Sequence, residues 1–560
     1  MKRAALLVAL LLSAAGYVFL QTTPPAPKLA TLMPSGALLY LEAPDFGGLL
    51  GQWDASRVKA DWLSSDNYSA FSRSNLFTKL NEVSGQYGEA AGFVPSLRSV
   101  AGIAGSESAL ALYEIHDVGF LYVSRIGDAE LMKSELWAVR DKFQQRQAGG
   151  ASFYLHTDPA SQRTVAFAFT KGYLFLATRD DLVAQALELL AGGANPSIAS
   201  DRWYQNAAAA QNRGELRLVM NLEALLKSTY FRSYWVQRNA ASLGQYWAGV
   251  ADVTRTSGAI AENRVFLRAP GAAEPAPAAV AGLLALVPPE AGLYKASRVG
   301  ESSAAAALIV EKLIAPQPQR SSDGREAPWA VSPDSHAGTE GDLETRIDEQ
   351  PLPADAGTSD SVAAARAMVG QAGVRSLLLV ESTAPAGGTF VQMPSVIVLS
   401  GAGDWDPNAV RAALGAAAGK LWTTSQLGAG WTAATAGSHP VERLDGLGAL
   451  LFAQRGPLLF LSNDAALLAA VLDRAAANAP PAALTYAAGF RHLRERSNFE
   501  RVMAALDFTS PVGSARFGPR FFSGNIASLS RVLSRISEIR VTEEERAGAT
   551  VETVRYELAP

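Results

Sequence analysis

The chain contains an internal repeat, and this repeat limits the possible folds more than any other feature of the sequence. Four stretches of the first half recur in the same order in the second half: residues 32–40 at 286–294, 165–178 at 449–462, 216–225 at 502–510, and 253–267 at 539–558. Self-similarity of this kind indicates one structural unit that is used twice. The repeat therefore predicts two diverged copies of one domain, at residues 30–268 and 280–560.

Two stretches of distinctive composition lie between and within these copies. Residues 269–279 (APGAAEPAPAA) predict a linker, because their prolines and glycine suit neither a helix nor a central strand. Residues from about 316 to 357 are rich in Pro, Asp, Gly, Ser and Glu. We predict a low-order insertion in copy two there, because too few apolar side chains are present to offset the entropy of ordering the backbone.

Within each copy, apolar residues recur first with the period of a strand and then with that of a helix. Residues 164–178 predict a hairpin that turns at a Lys-Gly pair, and residues 447–462 predict a second one. A helix is predicted after each hairpin, with the carboxylates of Asp180 and Asp464 as N-caps. Hairpins that alternate with helices predict an α+β fold, in which a mostly antiparallel sheet is covered by helices.

Three segments of copy one carry a resemblance to a known family. They are the opening strand with a Pro-to-Leu-Tyr pattern at 34–41, the strand-turn-strand that ends in Thr178, Arg179 and Asp180, and the SIASDRW segment at 197–203. Together they resemble the bacterial envelope family catalogued as domain of unknown function 3352. Copy two lacks the Ser-x-x-Asp segment and carries the insertion, so it departs from the family pattern. The resemblance implies an exported, often membrane-anchored protein, and it implies no activity and no functional residues.

The N-terminus has the composition of an export segment. Lys2 and Arg3 precede an apolar run at residues 4–20, which reaches the lower length limit for spanning a bilayer. The positive charges orient such a segment with its N-terminus in the cytoplasm. We therefore predict a signal or anchor segment at 1–20, a Pro-rich tether at 21–29, and a periplasmic protein held at the inner membrane through residues 4–20. Cleavage in this segment would instead release an exported protein.

Charge and cysteine content exclude several classes of function. The formal net charge is −4 and the basic residues are not clustered, so the sequence predicts no nucleic-acid partner. The chain has no cysteine, which excludes a lipid-modified cysteine, disulfides, a thiolate nucleophile and cysteine-based metal sites. A hydrophobic fraction of 48% with 18% charged residues is typical of a folded globular protein.

No motif predicts a metal or a cofactor. The five histidines have no metal-ligand spacing: His116, His156, His336, His439 and His492. Residues 404–408 resemble the start of a calcium-binding EF-hand loop, but Ala409 and Gly415 occupy its two defining positions. Asp406 before Pro407 instead predicts a helix cap. Glycine-rich stretches at 400–403 and 415–420 miss the spacings of nucleotide-binding loops.

An aromatic cluster is the main candidate for a binding surface in the sequence. Its members are Tyr230, Phe231, Tyr234, Trp235, Tyr246 and Trp247, and arginines are interleaved with them. Such a cluster suits a lipid headgroup boundary or a protein partner from the envelope. The alternative is a helix that packs its aromatic face on the sheet.

Three functions stay open from the sequence. The polar residues shared by the copies lie mainly at predicted caps and turns, which favours a non-catalytic binding or scaffold protein over an enzyme. A carrier or sensor of an apolar ligand is the first alternative, and it requires an open apolar cavity between sheet and helices. An envelope hydrolase is the second, and its Ser/His/Asp or two-carboxylate site would assemble only in the fold.

Overall fold

The computed structural model describes residues 28–228, 243–271, 280–315, 356–382, 393–422, 430–446, 448–474, 484–496 and 533–559. Within these ranges the protein is α+β, and its paired strands run antiparallel, as the sequence predicts. The chain divides into two compact units. Unit 1 comprises the described residues up to Gln52, Lys79–Ala210 and Leu216–Leu225, and unit 2 comprises Trp53–Thr78, Gln211–Glu215 and the chain from Leu226 onward.

Several predicted segments lie outside the described residues. They are the N-terminal segment 1–20, nearly all of the tether 21–29, most of the linker 269–279 and most of the insertion 316–357. In the part of the chain that the structure describes, no helix combines the length and the apolar character needed to cross a membrane.

The strands of unit 1 form one antiparallel sheet. They are β1 (Leu39–Ala43), β2 (Glu107–Glu114), β3 (Gly119–Arg125), β4 (Gln144–Ala148), β5 (Ala151–Thr157), β6 (Thr164–Thr170), β7 (Tyr173–Ala177) and β8 (Leu216–Met220). Their order in the sheet is β8-β1-β2-β3-β7-β6-β5-β4. The predicted hairpin is confirmed as β6 and β7, and its turn residues Lys171 and Gly172 have φ of 53° and 77°. Positive φ at both turn positions matches the right-handed twist of the two strands.

Ten α-helices precede β9 within the described residues. Five of them lie between β1 and β2: α1 (Phe46–Asp54), α2 (Arg57–Leu63), α3 (Asp66–Phe71), α4 (Asn75–Ala91) and α5 (Leu97–Ala101). The others are α6 (Asp128–Leu131), α7 (Glu135–Ala138), α8 (Asp180–Leu190), α9 (Arg202–Ala209) and α10 (Leu222–Lys227). Short 3₁₀ turns occur at Leu29–Leu32, Arg140–Lys142 and Ile198–Ser200. The predicted apolar face of α8 is confirmed, since Leu182, Val183, Ala186 and Leu187 are buried.

The strands of unit 2 also pair antiparallel. They are β9 (Tyr246–Arg255), β10 (Ala259–Arg268), β11 (Leu293–Arg298), β12 (Ser376–Glu381), β13 (Ser395–Ser400), β14 (Gly430–Ala436), β15 (His439–Asp445), β16 (Ala449–Arg455), β17 (Leu458–Ser462), β18 (Leu484–Phe490), β19 (Ile536–Arg546) and β20 (Ala549–Leu558). Their order is β9-β10-β20-β19-β18-β11-β12-β13-β17-β16-β15-β14. The later helices are α11 (Val280–Leu284), α12 (Ser302–Ile309), α13 (Ala356–Gln371), α14 (Pro407–Trp422) and α15 (Ala465–Asp473). A π-helical turn at Val310–Ile314, a short helix at 492–496 and a 3₁₀ turn at Leu533–Arg535 complete the described elements.

The strand orders of the two units match. Strands β11 to β18 lie in the order β18-β11-β12-β13-β17-β16-β15-β14, which repeats the order of β1 to β8. The element that takes the place of β8 is β18, because it pairs with β11 as β8 pairs with β1. The predicted match of residues 216–225 to 502–510 is therefore wrong. Residues 502–510 lie outside the described residues.

Strands β9 and β10 belong to unit 2. Strand β10 pairs with β20 over nine residues, from Ala259 opposite Glu557 to Leu267 opposite Ala549. The predicted linker therefore does not separate the two compact units, because this ladder joins the strands before it to the last strand of the chain.

The predicted helix caps are only partly confirmed. The Asp464 carboxylate accepts a hydrogen bond from the Leu467 amide at 2.8 Å, and Asp406 precedes α14 as predicted. The N-cap prediction for Asp180 is wrong, because the preceding residue Arg179 is the N-cap and Asp180 lies in the first turn. A carboxylate in the first turn still interacts favourably with the positive end of the helix dipole.

Candidate functional site

Unit 1 contains an open apolar cavity of about 260 Å³ between its sheet and helices α1 and α5. Its walls include Leu41, Leu110, Phe120 and Leu176 from the strands, and Phe46 and Val100 from the helices. Each of these six side chains is half-buried rather than buried. An apolar cavity under a sheet is a common form of small-molecule site, so this cavity is the candidate functional site of the described residues.

Strand register places one row of side chains on the floor of the cavity. Leu41 lies opposite Leu110, Leu110 opposite Tyr122, and Tyr122 opposite Leu176, across β1, β2, β3 and β7. Side chains alternate between the two faces of a strand, so their neighbours point to the other face. That other face is closed: Tyr40, Ala111, Leu121 and Ala177 are all buried.

The polar groups beside the cavity bond to each other and to the backbone. The Tyr122 hydroxyl lies 2.8 Å from Ser108 Oγ and donates to the Ile103 carbonyl at 3.3 Å. Ser124 Oγ donates to the same carbonyl at 2.7 Å. Burial raises the pKa of Tyr122 above its usual value, so its hydroxyl stays protonated at neutral pH. Because these groups are already paired, the cavity offers chiefly apolar surface to a ligand.

The corresponding place in the sheet of unit 2 is filled. Leu379 lies opposite Ile397 and Ile397 opposite Leu461, on strands β12, β13 and β17. All three are buried in a core that α12, α13 and α14 also supply. Trp422 at the end of α14 donates from its indole to the Ile314 carbonyl at 2.7 Å. The strand sets β1–β8 and β11–β18 share one order and therefore differ at this place, which is open in unit 1 and packed in unit 2.

The first strand of each set, β1 in unit 1 and β11 in unit 2, shows the same contrast between apolar and polar surface. Where Leu41 extends the floor of the unit 1 cavity, Lys295 lies opposite Leu379 in unit 2 and is exposed. A lysine keeps its charged end in water, so this position of β11 offers little apolar surface to a ligand. In unit 1 the apolar row instead continues through Leu41 to Leu218, which lies opposite it on β8.

Helix α1 forms a wall of the cavity that is weakly held. Its sequence, FGGLLGQWD, contains three glycines, and it has no buried residue. Each glycine disfavours a helix by about 1 kcal/mol relative to alanine. Phe46, Leu49 and Leu50 recur at helical spacing and are half-buried, and Phe46 lines the cavity. The apolar spacing of these residues was a signal that the sequence analysis missed.

The aromatic cluster predicted from the sequence is described only in part. Tyr230, Phe231, Tyr234 and Trp235 lie outside the described residues, and Tyr246 and Trp247 begin strand β9. The Tyr246 hydroxyl donates to Thr550 Oγ1 at 2.9 Å, and the Arg268 guanidinium lies 5.5 Å from the centre of its ring. Burial raises the pKa of Tyr246. These contacts engage Tyr246 within the sheet, and a membrane or partner role for the cluster stays a prediction.

Arg268 is the centre of a nearly buried polar network in unit 2. Its side chain is 5% exposed, and it donates to both carboxylate oxygens of Glu545, at 2.5 and 3.3 Å. It also donates to Thr550 Oγ1 at 3.0 Å and to Gln245 Oε1 at 2.9 Å. Such bidentate pairing fixes geometry strongly. The network ties the hairpin β9–β10 to the hairpin β19–β20, and it has the character of a structural clamp.

The described residues contain no metal-ligand cluster, and the His439–Asp473 pair is not arranged as a hydrolase dyad. Across the described ranges, no three His, Asp or Glu side chains converge as metal ligands do. His439 Nε2 lies 2.6 Å from Asp473 Oδ1, as a hydrolase dyad requires. However, Arg455 donates to His439 Nδ1 at 3.0 Å, so both ring nitrogens are occupied and neither is left for a serine. His156 contacts the Ala90 carbonyl through Nδ1 at 2.8 Å, and His336 lies outside the described residues.

Comparisons with known proteins give a distant structural likeness. No family model matches the chain, and no curated protein matches it. Among solved structures, crystal forms I and III of TP0453 are similar to parts of the chain. Form I is 10% identical, covers 45% of this chain and 82% of its own, and has a TM-score of 0.25. Form III is also 10% identical, covers 44% and 83%, and has the same TM-score of 0.25.

Proposed function

We propose that this protein is a non-catalytic, membrane-tethered envelope protein whose unit 1 binds an apolar molecule in the cavity above β1, β2, β3 and β7. The observation that carries the proposal is the contrast between the units: one sheet position is open and apolar in unit 1 and filled by helices in unit 2. A filled core is the default for stability, so an open one costs packing energy that a ligand can restore.

The size and chemistry of the cavity favour an alkyl chain or a similar hydrocarbon. A cavity of about 150 Å³ lined by Leu, Ile and Phe binds benzene, so roughly ten carbons fit the 260 Å³ of unit 1. The polar groups nearby are paired, so they add little preference for a polar head group. The carrier or sensor alternative from the sequence thereby becomes the leading proposal, and the scaffold role stays a prediction.

The sequence supports a cellular location and a domain organisation for this proposal. The apolar run at 4–20 supports an anchor in the inner membrane with the two units in the periplasm, and the resemblance to the envelope family supports the same location. The matching strand orders support two diverged copies of one domain. In this proposal, one copy keeps a filled core and the other has acquired a binding cavity.

A photoreactive fatty acid with its diazirine near the end of the chain tests the proposal. The full-length protein is reconstituted in vesicles with this probe, irradiated and digested, and the adducts are mapped by mass spectrometry. We expect adducts on the peptides of β1, β2 and β3. Val100→Trp takes up volume that the alkyl chain would occupy, so these adducts should fall by roughly tenfold, which corresponds to a loss of about 1.4 kcal/mol of binding free energy.

The matched control is Ala101→Trp on the same helix. Ala101 is exposed and does not line the cavity, so the bulky side chain should leave the adducts unchanged. The proposal fails if Val100→Trp and Ala101→Trp give the same adducts as the unaltered protein, or if adducts form only outside unit 1.

A further inference from the structure

The exposed large apolar side chains of the protein are concentrated in one segment. Eight such side chains occur in the described ranges, and six of them lie between residues 53 and 97. Trp53, Val58 and Leu63 belong to unit 2, and Leu80, Val94 and Leu97 belong to unit 1. Single exposed apolar residues are ordinary, so the question is whether those of unit 1 adjoin the cavity. The segment belongs to the connection between β1 and β2, which also supplies the helical walls of the cavity.

One apolar row in this segment leads from solvent into the cavity. Val94 is 79% exposed and Leu97 is 43% exposed, and Val100, one turn of α5 after Leu97, lines the cavity. Residues three apart lie on the same side of a helix, so Leu97 and Val100 form a continuous strip. We call Leu97 and Val100, together with Val94 just before the helix, the α5 row. The row places apolar side chains both at the surface and at the cavity wall.

A second row on α1 reaches the same cavity. Phe46 lines the cavity, and Leu49 and Leu50 are half-buried at helical spacing from it. We call Phe46, Leu49 and Leu50 the α1 row. Both rows therefore adjoin the cavity through a lining residue, Val100 on α5 and Phe46 on α1.

The charge of this connection indicates which partner suits the rows. Residues 46–101 carry five basic and five acidic side chains, so the segment has no net charge. A polybasic surface would indicate anionic lipid or nucleic acid, and a strongly acidic one would indicate a cationic partner. A neutral segment with exposed apolar rows favours insertion between lipid chains without a requirement for charged headgroups.

The length of the tether limits how far unit 1 can lie from the bilayer. Leu29 is buried in unit 1, and only residues 21–28 separate it from the apolar run at 4–20. Eight extended residues span at most about 28 Å. If the run lies in the inner membrane, unit 1 is held within a short distance of the bilayer surface.

We infer that the α5 row and the α1 row dock on the lipid bilayer to which the chain is tethered, and that the cavity exchanges its alkyl chain directly with that bilayer. This inference rests on the proposed function, because it names the source of the ligand. A soluble ligand would have no need of apolar rows that join the cavity to the surface.

The absence of cysteine makes a site-specific test possible, because an introduced cysteine is the only thiol in the chain. Leu97→Cys and, as the control, Met132→Cys are each labelled with an environment-sensitive dye. Met132 is 58% exposed in unit 1 and does not line the cavity. The full-length labelled proteins are reconstituted in phosphatidylcholine vesicles, with a spin label on the lipid chains or with iodide in the water as quencher.

We expect lipid-chain quenching at position 97 to exceed that at position 132 by roughly threefold or more, and iodide quenching to show the reverse order, because the row inserts below the headgroups. Added anionic phosphatidylglycerol should not change the result, since the segment carries no net charge. Strong iodide quenching at 97 with little lipid quenching means that the row faces water and overturns the inference. Protection from both quenchers means that protein, such as a second copy of the chain, covers the row, and it also overturns the inference.

The photoreactive fatty acid separates this inference from the proposed function. If the cavity peptides are labelled but position 97 is not quenched by lipid, the bilayer docking is wrong and the binding of an apolar molecule stands. If position 97 is quenched by lipid but the cavity peptides are never labelled, the proposed function is wrong.

Discussion

Replacement of Gly51 by alanine should make the wall of the cavity slower to open. Gly51 lies inside α1, its φ is not positive, and an added Cβ would meet no atom within 4 Å. The change therefore adds helix propensity without strain, which is worth about 1 kcal/mol. Because α1 has no buried residue, its local opening depends strongly on that propensity. A change of about 1 kcal/mol lowers the opening constant by roughly fivefold.

Hydrogen exchange measured by mass spectrometry checks this expectation on the full-length protein. The amides of α1 should exchange roughly fivefold more slowly in Gly51→Ala, and labelling by the photoreactive fatty acid should slow to a similar extent. Gly85→Ala is the matched control, because a Cβ there also meets nothing within 4 Å but lies on α4 and away from the cavity walls. It should slow exchange in α4 only.

Gly48, three residues earlier on α1, gives the opposite expectation. The Gly48 amide donates to Asp45 Oδ1 at 2.8 Å, and an added Cβ at Gly48 would collide with that same carboxylate. Gly48→Ala should therefore disturb the cap and speed exchange in α1. The reasoning is refuted if Gly51→Ala leaves exchange in α1 unchanged while Gly85→Ala slows exchange in α4, or if Gly48→Ala and Gly51→Ala act in the same direction.

Two further predictions concern unit 2. Glu545 is only 18% exposed, so Arg268→Leu would leave a nearly buried carboxylate without its bidentate partner and should lower the free energy of unfolding by about 3–5 kcal/mol. The control Arg555→Leu, at an exposed pair, should change it by less than about 0.5 kcal/mol. Urea unfolding measures both. Burial raises the pKa of Glu543, so the stability that this group contributes is present below the ordinary glutamate pKa and is lost as the pH rises through the raised value. Glu543→Gln should therefore stabilise the protein at pH 7 and not at pH 4. The control Glu544→Gln, on the opposite face and 40% exposed, should leave the stability unchanged at both pH values. A gain in stability from Glu543→Gln that does not depend on pH would contradict the raised pKa of Glu543.

Local signals made part of the fold predictable. The Lys171-Gly172 turn and the Asp464 cap act over a few residues, so the sequence alone locates the hairpin and the helix that follow from them. The match of residues 216–225 to 502–510 was wrong because it compared two short apolar stretches, and such stretches are similar in any core. The true criterion, pairing of β18 with β11, joins residues far apart in the chain.

The cavity could not be predicted for a related reason. Leu110 in unit 1 and Leu379 in unit 2 occupy equivalent strand positions and have the same side chain, yet one is half-buried beside an open space and the other is buried. The difference comes from the covering helices, and their fit depends on packing that no short pattern records. Two local signals did exist in α1: its three glycines indicate a weakly held helix, and the spacing of Phe46, Leu49 and Leu50 indicates an apolar face.

The ladder between β10 and β20 has a consequence for biogenesis. Its partners Arg264 and Glu552 are 288 residues apart, so one edge of β10 has no partner until almost the whole chain has been made. At synthesis rates of about 5–20 residues per second, this edge stays without its partner strand for roughly 15–60 s. Unpaired strand edges attract other chains, and charged side chains such as Glu262 and Arg264 discourage such mispairing during the delay. A chain cut short before its last strand would keep that edge open permanently and should aggregate.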